Sequence, residues 1–450
     1  MAKKKQIELT IEEKLRNALV PKEEQLYKIP SNWCWLYSNF VVDVRDGTHD
    51  TPKYISEGYP LITSKNLKNN NIDFDKVNYI SKEDYEKINL RSKVDIGDVL
   101  FSMIGTIGNP VLIKGQTNYA IKNVALFKDI NLINMTFFRF YLETKFVIDK
   151  MKKEAKGSTQ KFVSLKYLRN FPICYPSLEE QQRIVNRIES LFAKLDRAKE
   201  LIENTLAQFE QNKMAILHKA FIGELTAKWR KENNIDLSSW EKIKLGKVLL
   251  PMQTKKPTGQ FFRYIDIDAI DNKRQIVKAP KLILTEKAPS RASRGVETGN
   301  ILFSMVRPYL KNIAQIDSDL SDCIASTGFY VCRCKPELNS RFLYYLFIFD
   351  KTIDYLMQFM KGDNSPSIRK DDLLNMKIDL PTIEEQQEIV NILDNLLAKY
   401  NKIKNLEQQL EKIELLKKAI LAKAFRGELG TNNPDEESAE NLLKEILAEK

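Results

Sequence analysis

Apolar side chains in the middle of the chain recur at Ile184, Ile188, Leu191, Leu195, Ala198 and Ile202, in steps of four and three, with Phe209 one heptad further on. This 3.5-residue repeat predicts a helix with a coiled-coil seam. A second row, Leu178, Val185 and Phe192, runs beside it, so the apolar face is wider than one partner helix needs. The pattern returns at Ile389, Leu393, Leu396, Tyr400 and Ile403, then Leu406, Leu410 and Ile413. Both stretches open on one phrase, Tyr-Pro-Ser-Leu-Glu-Glu-Gln-Gln-Arg-Ile-Val at 175–185 and Leu-Pro-Thr-Ile-Glu-Glu-Gln-Gln-Glu-Ile-Val at 380–390. Both close on another, at 215–225 and 419–429, identical at nine of eleven positions. A period near 205 residues is too long for a solenoid and marks two module-plus-helix units in tandem.

The helix ends carry their own signals. Ser177 and Thr382 stand at the N-caps behind Pro176 and Pro381, with Glu180 and Glu385 at capping-box spacing. Glu179 and Glu384 complement the helix dipole, and Gly223 and Gly427 fit C-terminal stops. The first helix would be roughly 65–70 Å long at about 1.5 Å per residue. The simplest burial for two such seams is against each other. The alternative is that each helix packs on its own module.

Between the helices the pattern changes to short strands. An amphipathic helix from Ile7 to about Val20 comes first, then Trp33 and Trp35 open a module. Strands are predicted at Phe40–Val44, Pro60–Thr63, Val99–Ile104 and Val111–Ile113, and one helix over Thr136–Lys153. The polar stretches 45–53, 63–70, 105–109 and 157–161 read as loops, and Phe171–Tyr175 leads back to the long helix. The second module repeats the order from Trp240. Gly97–Met103 matches Gly299–Met305, Tyr59–Ile62 aligns with Phe262–Ile265, and Gly157 with Gly362. Loop 105–110 shows no resemblance to 307–311, the pattern of one scaffold reading two ligands. The predicted fold is α+β, two tandem mixed α/β modules each followed by a long helix. The expected segments are an arm 1–29, module 30–175, helix 176–226, linker 227–239, module 240–380, helix 381–430 and a tail helix 431–450.

Charge adds a direction. The 450 residues carry a formal net charge of +11, which favours a polyanionic partner. Residues 251–298 hold ten Lys or Arg against five acids, interleaved with Thr, Gln, Asn and aromatics. A solvated face is the alternative; phosphate and base contact is the functional reading. In the first module Arg45, Lys65, Lys122 and Lys161 are candidate phosphate or base contacts, and Asn66, Asn109 and Gln160 could pair with adenine edges. Thr48, His49 and Lys53 join them from the first loop. The second module contributes Lys255, Lys256, Arg263, Arg291, Arg294, Arg307, Tyr309, Lys311, Arg369 and Lys370.

Catalytic material is thin. There are two histidines, no phosphate-binding loop, no dinucleotide fingerprint, and Asn109-Pro110 is followed by Val, not by the Pro-aromatic pair of amino-methyltransferases. The five cysteines lack zinc spacing and read as structural thiols. No run of 18 apolar residues occurs and the N-terminus has no apolar signal core, so a cytoplasmic protein is expected. Metal and cofactor are expected to be absent from this chain.

The order aromatic opener, Asp-Gly-Thr-His-x-Thr-Pro (46–52), Gly-Asp-x-Leu-Phe-Ser (97–102) and Pro-Ser-Leu-Glu-Glu-Gln-Gln-Arg-Ile-Val (176–185), all duplicated, resembles the specificity subunit of type I restriction–modification systems. The phrases Ala-Phe-x-Gly-Glu-Leu at 220–225 and 424–429 also resemble that family. The second module departs from it, with Gln253-Thr-Lys-Lys256 where the Gly-Thr-His loop would stand. The resemblance implies that each module is a target recognition domain reading half of an asymmetric bipartite DNA site. It implies antiparallel, pseudo-twofold spacer helices that dock two methyltransferase subunits, with restriction/translocase subunits joining. S-adenosylmethionine, ATP and Mg would then sit on those partners, and the specificity chain would be non-catalytic. Ile184, Ile188, Leu191, Leu195 and Ile202, with Ile389, Leu393, Leu396, Tyr400 and Ile403, are the expected helix contacts, and the spare row would be the docking surface. A self-sufficient DNA methyltransferase or nuclease, or a non-DNA coiled-coil scaffold, are the alternatives.

Overall fold

The structure, a computed structural model, describes residues 10–158, 160–401 and 404–449. The chain forms two compact units. One gathers the residues up to Leu201 with those from Gln408 onward, and the other is Ile202–Glu407. Each therefore contains one module, the start of one long helix and the end of the other.

In the first unit a four-stranded antiparallel sheet has the order Val42–Asp46, Val124–Asp129, Val99–Ser102, Gly108–Leu112. Both faces of Val99–Ser102 are covered, which is why it reads as an unbroken apolar run. Val99 and Phe101 enter the core under the helices, while Leu100 enters a second core shared with Ile62, Val111 and Ile121. That alternation is the pleat of a strand buried on both sides. A smaller sheet centres on Tyr59–Ile62, antiparallel to Asn78–Ile80 and parallel to Ala120–Ile121. The ribbon of Cys34–Tyr37 with Pro172–Tyr175 closes the module and delivers the chain to its long helix.

The second unit repeats this plan. Its main sheet runs Leu249–Leu250, Phe329–Cys334, Ile301–Ser304, Ile313–Gln315, and Glu241–Lys244 pairs with Lys377–Leu380 as the closing ribbon. Its smaller sheet has a fourth strand, in the order Lys281–Leu284, Phe261–Ile265, Ile324–Ser326, Ala292–Gly295. In both modules the central strand pairs in parallel at the aligned positions, Ile62 with Ile121 and Ile265 with Ala325. The edge strand of the main sheet is only two residues long here because Pro251, which has no N–H to donate, ends it.

Two predicted elements differ. The strand expected from Phe40 begins at Val42, because Ser38–Val41 is a helical turn whose Ser38 hydroxyl donates to the carbonyls of Leu168 and Arg169. The helix expected over Thr136–Lys153 is two, Met135–Glu143 and Lys145–Glu154, broken at Thr144 (φ −63°, ψ 143°). The second module breaks in the same way at Phe349 (φ −64°, ψ 128°), so the bend belongs to the fold. The N-terminal helix is Ile11–Ala18, capped by Thr10; its expected start at Ile7 lies outside the described residues.

The first long helix is one element of 44 residues, Leu178–Phe221. The second is Ile383–Asn401 and Lys404–Ala424; Ile403 and the side chain of Tyr400, both expected on its seam, lie outside what is described. In the first unit the helices run antiparallel, tied by Lys199–Glu414 at 3.3 Å and Asp196–Lys417 at 2.5 Å. Ile184 and Ile188 share a core with Leu421, Ala424 and Phe425. In the second unit Leu217 and Ala220 share one with Ile389 and Leu393. Leu191, Leu195, Ile202 and Leu396 are half-buried. The spare row is covered in part. Val185 is buried, and Phe192 meets Phe140 edge-on at 5.8 Å with the Lys417 ammonium 5.2 Å from its ring. Val185 is thus covered inside the unit, while Phe192 is half-buried and Leu178 is 39% exposed.

Candidate nucleic-acid interface

The duplicated Glu-Glu-Gln-Gln phrase is a bracket that sets the modules on the helices. Gln181 accepts from the backbone N–H of Asn134 (2.8 Å) and donates to the Pro176 carbonyl (2.9 Å), while Gln182 accepts from the Asn134 amide (2.9 Å). Asn134 in turn caps Met135–Glu143. Gln386, Gln387 and Asn339 repeat these bonds on Ser340–Ile348 at 2.8 Å and 2.9 Å. Ser177 and Thr382 accept from the N–H groups of Glu180 and Glu385, which is the N-cap half of the expected box. The carboxylates turn elsewhere. Glu385, fully buried, accepts from Thr226 (2.6 Å), from Trp240 Nε1 (2.9 Å) and from Arg230. Glu180 accepts from Thr431 (2.8 Å) and Arg183 (2.9 Å), and Arg183 also pairs with Glu436 at 2.6 Å. Burial outweighs these partners and raises the Glu180 carboxyl above its ordinary range. Phe425 and Phe221 complete the bracket, Phe425 against Phe137 and Tyr141, Phe221 against Phe342 and Phe349.

On the first module, the loops after the small sheet enclose a cleft of about 620 Å³ lined by Lys65, Lys122 and Gln160 among others. Lys76, which no motif marks, joins them. Asn66 borders the cleft but is 5% exposed. Its oxygen accepts from Thr63 and its amide donates to the carbonyls of Asp73 (3.0 Å) and Lys76 (3.2 Å), so the side chain closes the loop and is not offered to a base. His49 bridges Asp46 (2.9 Å) and Asn123 (3.0 Å), and Thr48 bridges to Lys122. Asp46, buried, also holds Arg91. Arg45 lies apart on an edge strand, paired with Asp43 at 2.6 Å. Asn109 donates to the Leu67 carbonyl at 3.1 Å and is otherwise exposed; Lys53 and Lys161 are exposed.

The second module distributes its candidates differently. Arg263 is held by Asp322 at 2.9 Å, Arg307 donates to the Asn364 carbonyl at 2.8 Å, and Lys311 pairs with Asp350 and the Ile348 carbonyl at the end of a helix. Lys311 also lines a cavity with Met214 and Gln275. Tyr309, Arg369 and Lys370 are exposed. Lys255, Lys256, Arg291 and Arg294 make no side-chain hydrogen bond or ion pair among the described residues, and the Arg294 Nε is buried with no acceptor. Burial pushes the Tyr330 phenol up to about 12, with Cys332 adding to the rise and the Arg294 guanidinium opposing it.

The two modules share a frame and differ in chemistry. Lys65 and Asp268 occupy the same place in one-turn helices, Ser64–Asn66 and Ile267–Ala269, that follow the aligned strands. Lys122 and Ser326 follow the aligned parallel pairs, and Gln160 and Ser365 each stand three residues after Gly157 and Gly362. Loops 105–109 and 307–311, unlike in sequence, share left-handed residues at their two ends, although Gly108 opens a strand while Pro308–Leu310 is a single helical turn. Gly105 and Arg307 (φ 75° and 48°) and Asn109 and Lys311 (φ 50° and 49°) are all left-handed.

Among the described residues no cluster of His, Cys, Asp or Glu could hold a metal, and no helix is long and apolar enough to cross a membrane. Burial raises the thiols, Cys34, Cys174 and Cys334 to about 12 and Cys323 to about 11.

This duplicated frame is that of a DNA specificity protein. The family model described as type I restriction modification DNA specificity domain matches residues 47–208 and again 240–415, and the chain belongs to that family. The specificity subunit of the type I restriction enzyme EcoDI of Escherichia coli is 27% identical over 335 residues, 67% of this chain and 74% of that protein. The StySPI specificity subunit of Salmonella potsdam is 24% identical over 94% of this chain and 96% of its own length. Among solved structures, a chain from work on complex assembly and conformational transition of the type I R-M system matches with a TM-score of 0.67. It is 20% identical, over 89% of this chain and 100% of that one. The HsdS subunit of Thermoanaerobacter tengcongensis matches at 0.52, also 20% identical, over 89% and 98%. The protein is a type I restriction–modification specificity subunit, and its role is DNA recognition.

Proposed function

We propose that each module reads one half of an asymmetric bipartite DNA site, that the long helices set the gap between the halves, and that the chain docks methyltransferase subunits and, through them, restriction/translocase subunits. The chain itself is non-catalytic in this reading, and S-adenosylmethionine, ATP and Mg belong to the partners. One observation carries it: the aligned backbone positions that hold Lys65, Lys122 and Gln160 in one module hold exposed Asp268, buried Ser326 and exposed Ser365 in the other. A lysine on a guanine edge and a carboxylate accepting from a cytosine amine favour different bases, so two like frames would read unlike half-sites.

The test exchanges residues 240–380 for the module of a relative with a different target and sequences the methylome of cells expressing the assembled complex. One half-site is expected to change and the other to persist. Changes in both halves would reject independent reading. Methylation of DNA by the purified chain alone with labelled S-adenosylmethionine would favour a self-sufficient enzyme instead.

A further inference from the structure

The two modules treat the flank of one shared strand differently. In the first, Ala120–Ile121 is flanked by the helix Lys82–Ser92, whose Arg91 is locked on the buried carboxylate of Asp46. In the second, the matching strand Ile324–Ser326 is flanked by a strand instead, Ala292–Gly295, at the edge of its sheet. Arg294 stands on that edge. Its neighbour on one side is Ala325 and on the other Thr254, and neither offers a carboxylate.

Several other cations of this module are committed: Arg263 to Asp322, Lys281 to Asp266, Lys311 to Asp350 and Arg333 to Glu297. Arg294 is not. Its side chain is half-buried, makes no hydrogen bond or ion pair among the described residues, and its Nε is sealed from solvent without an acceptor. A guanidinium carries five donors in a planar fork and cannot shed its charge, so a half-buried one is stable only if acceptors reach it. Lys255 and Arg291, likewise unpaired, lie on the same edge: Lys255 N–H bonds the Ser293 carbonyl, and the Arg291 carbonyl accepts from Thr327. The concentration of uncommitted positive charge along one sheet edge, Lys255, Arg291 and Arg294, fits a polyanion carrying paired acceptors.

We propose that Arg294 is a DNA-contacting residue of the second module, its guanidinium taking a pair of acceptors on the duplex, either guanine O6 and N7 or two phosphate oxygens. The assignment rests on the reading of this module as a half-site reader. It names one residue that makes contact, on a strand that the first module's small sheet lacks.

The test uses the full chain with its modification subunits, and duplexes carrying the methylated site or single-base variants of its second half, in binding titrations at several salt concentrations. Arg294→Ala is expected to weaken binding to the cognate duplex by roughly 5- to 150-fold, the equivalent of about 1–3 kcal/mol. Loss of discrimination at one base pair would assign the base edge. A uniform loss with a salt slope smaller by about one would assign a phosphate. Thr254→Asp places a carboxylate opposite Arg294 across the strand pair, and is expected to reproduce the loss by capturing the guanidinium as Asp46 captures Arg91. Lys242→Ala, removing an exposed cation paired with Asp379 and outside the candidate contacts, should leave affinity within about twofold. Wild-type affinity and preference in both Arg294→Ala and Thr254→Asp, in a complex that still discriminates its cognate duplex, would overturn the assignment. A wild-type complex indifferent to the second half-site would instead overturn the reading of the module.

Discussion

Glu385 is held on both carboxylate oxygens by side chains that arrive from the end of the first long helix and the opening of the second module: Thr226, Arg230 and Trp240. Arg230 is nearly as buried as its partner, at 8% side-chain exposure against 0%. Removing one member of such a pair leaves the other charge stranded, which costs about 3–5 kcal/mol. Glu385→Ala should therefore lower the urea midpoint by that equivalent, whereas Lys242→Ala, breaking an exposed pair with Asp379, should change it by less than about 1 kcal/mol. Equal effects would mean the bracket is not buried in solution. Glu180 gives the pH-dependent counterpart. Its folded carboxyl titrates above the ordinary value, chiefly because it is buried. A group that binds its proton more tightly when folded contributes stability below its unfolded pKa and loses that contribution as pH rises through the folded one. Acidification from neutral towards about pH 5 should thus stabilise the wild type relative to Glu180→Gln. A difference that does not change with pH would contradict it. The bracket was partly legible in advance: Gln181 stands three, four and seven residues before Ile184, Val185 and Ile188, so a polar side chain occupies the apolar stripe. Its partner, the N–H of Asn134, was not, because nothing local ties position 134 to 181.

Helix ends were the most readable elements and helix interiors the least. Gly223 and Gly427 stop the long helices as their phrases predict, with φ of 80° and 73°. A side chain at either would be strained by about 1–3 kcal/mol from the left-handed backbone alone. The surroundings then separate them. A Cβ at 223 would lie 2.4 Å from Leu237 Cδ1, the tip of a side chain 45% exposed and able to swing away. At 427 it would lie 2.3 Å from Cγ of Pro30, in a ring that has nowhere to rotate. Gly427→Ala should accordingly destabilise more than Gly223→Ala, and limited proteolysis should open the chain near Pro30 and the 431–438 turn first. The reverse order would show that strain, not the clash, decides. The break at Thr144 carried no such signal. Neither Gly nor Pro stands there, and Phe349 makes the same bend without a hydroxyl, so only packing on the sheet imposes it. The candidate contacts divide on the same principle. Lys65 and Gln160 are legible from loop position because loops stay at the surface, whereas Lys122, beside a short strand, lies outside the loops that the sequence marks. Asn66, Arg45 and Lys311 look equivalent in sequence, but their donors are taken by partners within the protein, the Asp73 and Lys76 carbonyls, Asp43 and Asp350.

At the scale of the whole chain, duplication made the architecture readable: every anchor appears twice, so a chance phrase in one copy is tested by the other. The first long helix is continuous over Leu178–Phe221, its first part in one compact unit and its second in the other. A continuous helix has no joint at which to absorb a change of length, so any insertion must be transmitted along it. Four residues add about 6 Å and about one full turn, restoring the facing of the seam to within a few tens of degrees. Duplex rises about 3.4 Å per base pair. Insertion of four alanines after Ile202 and after Glu407 together should therefore lengthen the gap between half-sites by one or two base pairs while leaving both half-sites unaltered, as read by methylome sequencing. Insertion in one helix alone should impair assembly, because it displaces one helix against the other while Ile184 and Ile188 remain packed with Leu421, Ala424 and Phe425, and Lys199–Glu414 and Asp196–Lys417 remain paired, in the first unit. Two residues in each helix add only about 3 Å but turn the remainder of the helix by roughly 200°, which swings the seam away from its partner. That variant should lose methylation altogether despite the smaller change of length. A gap unchanged by four residues, in a protein that still methylates, would mean that the modules and not the helices set the distance.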